Sequence, residues 1–463
     1  MSRLHRNRRA RRLIPGRMAL AEAALAAVMI ASTATAQSPP AQGPSLLTLD
    51  EVLREIAAHS TAAVTSKLDV GAAEESTKAA EAAYRPTVSL STGFQAHDNE
   101  VIVRFGALQA PESERNFFTG ELDVGYLLWD GGRRASAVAG AKDLEGAAAT
   151  RGQAEVRSGQ LDGLATYLRI VTLKAQRQVV AQRVEALEDH LREVQDLFSQ
   201  GVVARNDLLE TEVRLRLVRD QAGDVDNGEA VAMQALNRLM GRRPSDPVAL
   251  PERLPSPPPL PAAPEDLKKR AADNNAQMLA LRARLKAQLD VLSLRRSESY
   301  PTLFAQASHT YQQNEFLVYP NANILFLGLS WQAYDGGARE ANVREADFAA
   351  ARIREEIADL ERQLEVQVEQ SYRDYAQAVR EAATAETNVK AAEENLRIEE
   401  DQYKAGLTRT TDVLDAESVL ANSRFSLANQ HYNAYLKQGA LLTAAGEDLP
   451  TFFAAVGTQG QER

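Results

Sequence analysis

Cysteine is absent from all 463 residues, which excludes disulfides, thiolate metal ligands and an N-terminal lipidated Cys. Proline is missing from two long stretches, between Pro111 and Pro244 and between Pro320 and Pro450, so nothing in either forces a helix to break. Both stretches are rich in Ala, Leu, Glu, Arg and Gln, which lose little on entering a helix. An apolar run of the roughly 20 residues needed to cross a bilayer as a helix is also missing. The nearest candidate, Met18 to Ala31, is too short and carries Glu22.

That short run follows seven Arg within the first 17 residues and leads to Ala34-Thr35-Ala36, the pattern of a secretory signal peptide cleaved after Ala36. The neighbours of Arg8-Arg9 lack the rest of a twin-arginine pattern, which favours ordinary secretion. Beyond residue 36 the chain holds 46 basic and 62 acidic residues, net −16, a balance unsuited to a nucleic-acid partner. A periplasmic or outer-membrane destination is expected.

The sequence is duplicated at a register of 205: Asp130 with Asp335, Gly201 with Gly406, Asp207 with Asp412, Glu212 with Glu417, Gly241 with Gly446. Nine of the 18 prolines fall between Pro244 and Pro264, a stiff, extended linker between the copies. Each copy opens with a helix, around residues 48 to 83 and 265 to 299. The first has Thr48 and Glu51 at capping-box spacing and Leu49, Val52, Leu53 and Ile56 on one face. Tyr84-Arg85-Pro86 and Ser299-Tyr300-Pro301 end these helices.

After each proline the period changes to two. In TVSLSTGFQ, Val88, Leu90 and Phe94 alternate with Thr87, Ser89, Ser91 and Gln95; in TGELDVGYLLW, Leu122, Val124, Tyr126 and Leu128 oppose Glu121 and Asp123. The second copy repeats this hairpin less cleanly in TLFAQASHTYQ and NILFLGLSWQA. Both hairpins end on Asp-Gly-Gly, at Asp130 and Asp335, where the glycines permit positive φ and the aspartate caps the next helix. Neither G-x-G-x-x-G nor G-K-[ST] is present, so these glycines do not form a phosphate-binding loop.

From Arg133 to Gln200 a continuous helix of 68 residues runs about 100 Å at roughly 1.5 Å per residue. The helix after Gly201, about residue 207 to 240, and the opening helix run about 50 and 55 Å by the same rise, so end to end they match the long one. Coiled-coil packing suits the spacing of their apolar residues. Strands of about ten residues cross a bilayer when tilted, where β-structure survives only as a closed barrel. Four strands cannot close; eight from two chains fill their own interior, whereas twelve from three leave a lumen.

On the duplicated strand-DGG-helix, the YRP and SYP strand entries, and the paired segments FSQGVVARNDLLETE and YKAGLTRTTDVLDAE, the chain resembles the TolC-like outer-membrane efflux protein family over essentially its whole mature length. The resemblance implies an α+β membrane protein: a homotrimer with a 12-stranded β-barrel in outer-membrane lipid, continued by an α-helical periplasmic coiled-coil barrel. It implies a passive export duct of a tripartite efflux pump or type I secretion system, fed by a proton-driven or ATP-driven inner-membrane pump through a periplasmic adaptor (membrane fusion) protein. The alternatives are a heavy-metal efflux duct and, from another class, a structural periplasmic coiled coil without a pore. Drug, metal and protein export are not separated by these residues.

The resemblance also assigns the tip. The turns at Gly201 and Gly406 meet the adaptor, Tyr403 and Asp207 form a gate link, and Asp412 and Asp415 narrow the pore. The family pattern places the link's arginine at Thr408, whereas Arg409 stands one residue later. Asp207 and Asp412 follow glycine turns, so helix capping is the competing reading of both; Asp412 and Asp415, at i and i+3, share one helix face. His59, His97, His190, His309 and His431 are scattered without metal spacing and read as surface or tunnel residues. No catalytic group, metal or cofactor is expected.

The expected organisation is a signal peptide (1–36), a first repeat (37–243, with hairpin 87–130 and long helices 132–241), a Pro-rich linker (244–264), a second repeat (265–446, with hairpin 302–335 and long helices 337–445) and a C-terminal tail (447–463).

Overall fold

A computed structural model describes residues 46–254 and 262–460; the expected signal peptide and residues 255–261 lie outside these. The first repeat runs α1 (Leu49–His59), α2 (Thr61–Ala82), β1 (Thr87–Ala96), β2 (Val101–Phe105), β3 (Leu108–Ser113), β4 (Asn116–Trp129), α3 (Arg133–Ser199) and α4 (Arg205–Leu239). The second runs α5 (Pro264–Asn274), α6 (Ala276–Ser297), β5 (Thr302–Gln312), β6 (Asn321–Ser330), α7 (Ala338–Lys404) and α8 (Thr410–Ala444), followed by α9 (Leu449–Gly460). The duplication holds in the elements: α3 and α7 both have 67 residues, α4 and α8 both 35.

The opening helices differ from the expectation of one continuous element each. Ser60 and Asn275 interrupt them with extended ψ values of 156° and 127°, and each side chain restarts the next helix as an N-cap. The Ser60 hydroxyl accepts from the Ala63 N–H at 3.2 Å, and the Asn275 side-chain oxygen accepts from the Gln277 N–H at 2.9 Å. At Thr48 the Glu51 carboxylate accepts from the backbone N–H at 2.8 Å, while the threonine hydroxyl donates to Asp50 instead. α1 and α2 still lie along the first half of α3, where Gln160 of α3 donates to the Leu53 carbonyl and Thr77 of α2 to Glu145, and α4 lies along the second, where Arg219 reaches Glu188.

The main core gathers Leu53, Ile56, Leu164, Tyr167, Leu236, Tyr435 and Phe453 from both repeats and α9. The C-terminal stretch expected as a tail thus supplies a helix to the core. The linker is docked as well: the Leu47 N–H donates to the Ala249 carbonyl at 2.9 Å, Leu250 is buried, and Lys174 of α3 donates to the Leu250 carbonyl. Towards the far end of α3, Val180, Leu187 and Val194 are buried seven residues apart, the heptad spacing of a coiled-coil seam. In α7 the corresponding stretch uses Ala378, Ala385 and Ala392.

The strands form an antiparallel sheet in the order β1-β4-β5-β6, joining the two hairpins through β4 and β5. Register places Val88 against Val124, Leu90 against Leu122 and Phe94 against Phe118, with Ala307 and Leu325 continuing the same face. That face is apolar yet exposed, Leu90 at 73% and Leu325 at 77%. Ser89, Ser91, Glu121, Asp123, Gln306 and Ser308 occupy the other face, where Gln306 donates to Asp123 at 3.1 Å. Phe304 and Phe326 pair their rings on this second face, which is why the second hairpin alternates less cleanly.

β2 and β3 make a separate hairpin in the connection between β1 and β4, turning at Gly106 with φ +62°. Asn314, in the connection between β5 and β6, ties the two connections together by donating to the Glu112 carbonyl at 2.9 Å.

Candidate functional site at the helical tip

Among the described residues, four helix ends close in the same way. After Ser199 the Gly201 N–H donates to the Phe198 carbonyl and the Val202 N–H to the Leu197 carbonyl, with Gly201 at φ +75°. After Lys404 the Gly406 N–H reaches Tyr403 and the Leu407 N–H reaches Gln402. This paired back-bonding satisfies carbonyls the helix leaves over and requires a left-handed residue, hence glycine. Gly241 and Gly446 repeat it at the ends of α4 and α8. At the tip each turn exposes an aliphatic side chain, Val202 at 66% and Leu407 at 79%.

The returning helices begin on Ala204 and Arg409, whose side chains make no cap hydrogen bond. The aspartate three residues on supplies the acceptor: Asp207 takes the Ala204 N–H and Asp412 the Arg409 N–H, both at 3.1 Å. Both therefore cap their helices. The Thr408 hydroxyl, donating at 2.8 Å, and then the Arg409 N–H hold the Asp412 carboxyl below its usual range. Asp412 and Asp415 lie on one exposed face of α8, and Asp415 faces Arg214 of α4 at 3.7 Å.

Tyr403 does not hydrogen-bond Asp207 within the chain; its phenol oxygen accepts from the Thr410 hydroxyl at 3.2 Å. Burial, helped by the charges of Glu193 and Asp207 and opposed by the Thr410 hydrogen bond, pushes this phenol's pKa up, which keeps it protonated. The Arg409 side chain makes no ion pair among the described residues. The Tyr403 ring stands edge-on to His190, centroids 5.3 Å apart. His190 is half-buried with Nε2 shielded and unpartnered among the described residues, and burial lowers its pKa.

Above these groups Arg183 of α3 faces Glu417 of α8 at 3.5 Å, both side chains nearly buried, and donates to the Ser418 hydroxyl at 2.9 Å. Burial pushes Glu417 up to about 7, against the opposing pull of Arg183 and Arg214. Tyr403, Asp207, Asp412 and Asp415 were assigned on the family resemblance, whereas Thr410, Arg183 and Glu417 were not assigned at all. Glu417 was visible only as the register partner of Glu212; its contact with Arg183 spans 234 residues and has no local signature.

No described helix is long and apolar enough to cross a membrane; the sheet is the element with an exposed apolar face. The family profile described as "Outer membrane efflux protein" matches residues 52–242 and 267–447, one span in each repeat. No curated protein sequence matches the chain significantly. Among solved structures, the outer membrane protein VceC of Vibrio cholerae is similar at TM-score 0.73 and 19% identity, covering 86% of this chain and 96% of that one. The CmeC outer membrane channel of Campylobacter jejuni is similar at 0.70 and 13% identity, over 88% of both chains. The open-state MtrE outer membrane channel of Neisseria gonorrhoeae gives 0.70 and 16%, over 86% and 89%. With an architecture shared over nearly full length and a profile matched in both repeats, the chain belongs to the outer membrane efflux protein family.

Proposed function

We propose that three copies of this outer-membrane protein form an export duct that passively conducts substrates delivered by an inner-membrane pump and a periplasmic adaptor. The sheet carries this reading. Its outer strands β1 and β6 have unpaired edges among the described residues and its apolar face is exposed, two features compatible with lipid only once the edges are joined. Three four-stranded sheets give twelve strands, enough to leave a lumen. The Glu121 and Asp123 face then lines that lumen, and α3 and α7 continue the wall towards the pump.

At the tip we assign Val202 and Leu407, beside Gly201 and Gly406, to adaptor contact, since exposed aliphatic side chains on rigid turns suit docking. We assign Asp412 and Asp415 to the constriction. Tyr403, Asp207 and Arg409 are assigned to the link that keeps the tip closed, with Thr410 as the phenol's partner within the chain.

The test is the mass of the detergent-extracted complex together with conductance in planar bilayers. A trimer with discrete channels is expected; a non-conducting monomer would leave the structural coiled-coil reading. Because the chain has no cysteine, Leu407→Cys provides a unique cross-linking site. It is expected to couple to the adaptor, whereas a Cys placed at Glu121 is not.

A further inference from the structure

A cavity of about 300 Å³ lies between α3, α7 and α8 behind the tip turns. Its walls carry four carboxylates, Asp189, Glu193, Glu400 and Glu417, against one ammonium, Lys404. Glu417 is only 8% exposed, and neither of its carboxylate oxygens has a hydrogen-bond donor among the described residues. Arg183 Nε is ion-paired with its Oε1 at 3.5 Å, which leaves Oε2 as the carboxylate oxygen without a partner. The shielded, unpartnered His190 Nε2 lines the same cavity.

These acceptors sit at two ends. Glu417 is level with Arg183, and His190 follows Arg183 by seven residues on α3, about 10 Å at roughly 1.5 Å per residue. Between them the wall is aliphatic, from Leu187, Leu396 and Leu414. Buried acceptors without donors are costly, and two such groups separated by an apolar wall match a short chain with a cation at each end.

We propose that this cavity binds a small aliphatic diamine in its doubly protonated form. One ammonium donates to Glu417, the other to His190 Nε2 and Glu193, and the methylenes lie against Leu187, Leu396 and Leu414. So placed, the ligand bridges α3 to α8 and ties the two repeats together at the tip.

Only ionised Glu417 pairs with the ammonium. The groups facing it are Arg183 of α3, Arg214 of α4 and Glu400 of α7; Asp189, His190 and Glu193 of α3 and Tyr403 and Lys404 of α7 line the rest of the cavity. With Glu417 at about 7, its ionised fraction rises nearly tenfold between about pH 6 and 8, and affinity follows by linkage. Burial lowers the His190 pKa, which favours its neutral, accepting form.

Titration calorimetry of the detergent-solubilised full chain with 1,4-diaminobutane tests the site. One saturable site per chain is expected, several-fold tighter at pH 8 than at pH 6, with n-butylamine at least tenfold weaker. Glu417→Gln and Glu193→Gln should each weaken binding tenfold or more, the second serving as the test should the first fail to assemble. Asp412→Asn with Asp415→Asn should leave it unchanged. Absence of saturable binding, equal affinity for the monoamine, or loss of binding only in the double Asn variant would overturn the proposal, the last by placing the amine on the exposed aspartates.

Discussion

Asp130 and Asp335 each hold the start of a 67-residue helix from three residues before it. The Asp130 carboxylate accepts from the Gly132 and Arg134 N–H groups at 3.2 and 2.9 Å and from Arg134 Nε at 2.9 Å; Asp335 repeats this with Gly337 and Arg339. The capping aspartate was legible because capping is local. The arginine four residues on also stood in both motifs, DGGRR and DGGAR, yet its second task depends on the fold: Arg134 lies over the Tyr84 ring at 4.7 Å and reaches the Ala83 carbonyl. Removing one partner of a buried pair leaves an uncompensated charge, about 3 to 5 kcal/mol. Arg134→Ala is therefore expected to destabilise by about 3 kcal/mol in thermal unfolding, and Arg339→Ala by less, because Arg339 and Asp335 are more exposed than Arg134 and Asp130. Glu417 sets a pH dependence of known sign. Its folded pKa is raised above the unfolded value of 4.5 to about 7, so its contribution to stability is complete below about pH 4.5 and is lost as pH rises through about 7. Melting temperature should fall from pH 5 to pH 8 by more in wild type than in Glu417→Gln, and equal pH slopes would show that Glu417 titrates normally.

Helix lengths and ends were the most legible elements, since proline-free stretches and the 205-residue register fixed α3, α4, α7 and α8 to within two or three residues at each end. Ser60 and Asn275 were not seen as breaks because apolar periodicity resumes at once on both sides, and they stand 215 rather than 205 residues apart, so the repeat gave no second instance. The β2–β3 hairpin and α9 were missed for another reason: each lies outside the duplicated pattern, and α9 acquires its meaning only where Leu449 and Phe453 enter the core. The two long helices also differ in what they bury at heptad positions, bulky aliphatics in α3 and alanines in α7. Leu187, 1% exposed and packed with Leu215, Val218 and Leu414, should cost about 2 to 5 kcal/mol on substitution by Ala. Ala385→Leu should cost about 1 to 3 kcal/mol by overpacking a seam built for close approach. Both are measurable as shifts in urea midpoint, and a neutral Ala385→Leu would mean that the α7 seam is loose.

For the assembled molecule the sheet and the tip make separable demands. Val124 lies on the apolar face beside Val88, so Val124→Arg should impair membrane insertion at about 2 to 4 kcal/mol near the midplane, read as loss of trimer from the outer-membrane fraction. The tip behaves differently because its acidic groups are exposed and already serve local structure. Threefold symmetry would gather Asp412 and Asp415 of three chains into as many as six nearby carboxylates, a field that attracts cations. A small, cation-selective resting conductance blocked by multivalent cations is therefore expected. Asn keeps a side-chain oxygen able to accept the Arg409 N–H, so Asp412→Asn with Asp415→Asn should preserve the cap and the trimer while weakening the block. Tyr403→Phe should act in the opposite sense: it removes the oxygen that accepts from Thr410, untying the end of α7 from the start of α8, and so raises resting conductance without changing selectivity. Single-channel recordings separate the two, because one variant alters block and the other alters closure. Unchanged block in the double Asn variant would assign these aspartates to capping alone and move the constriction elsewhere along the helices.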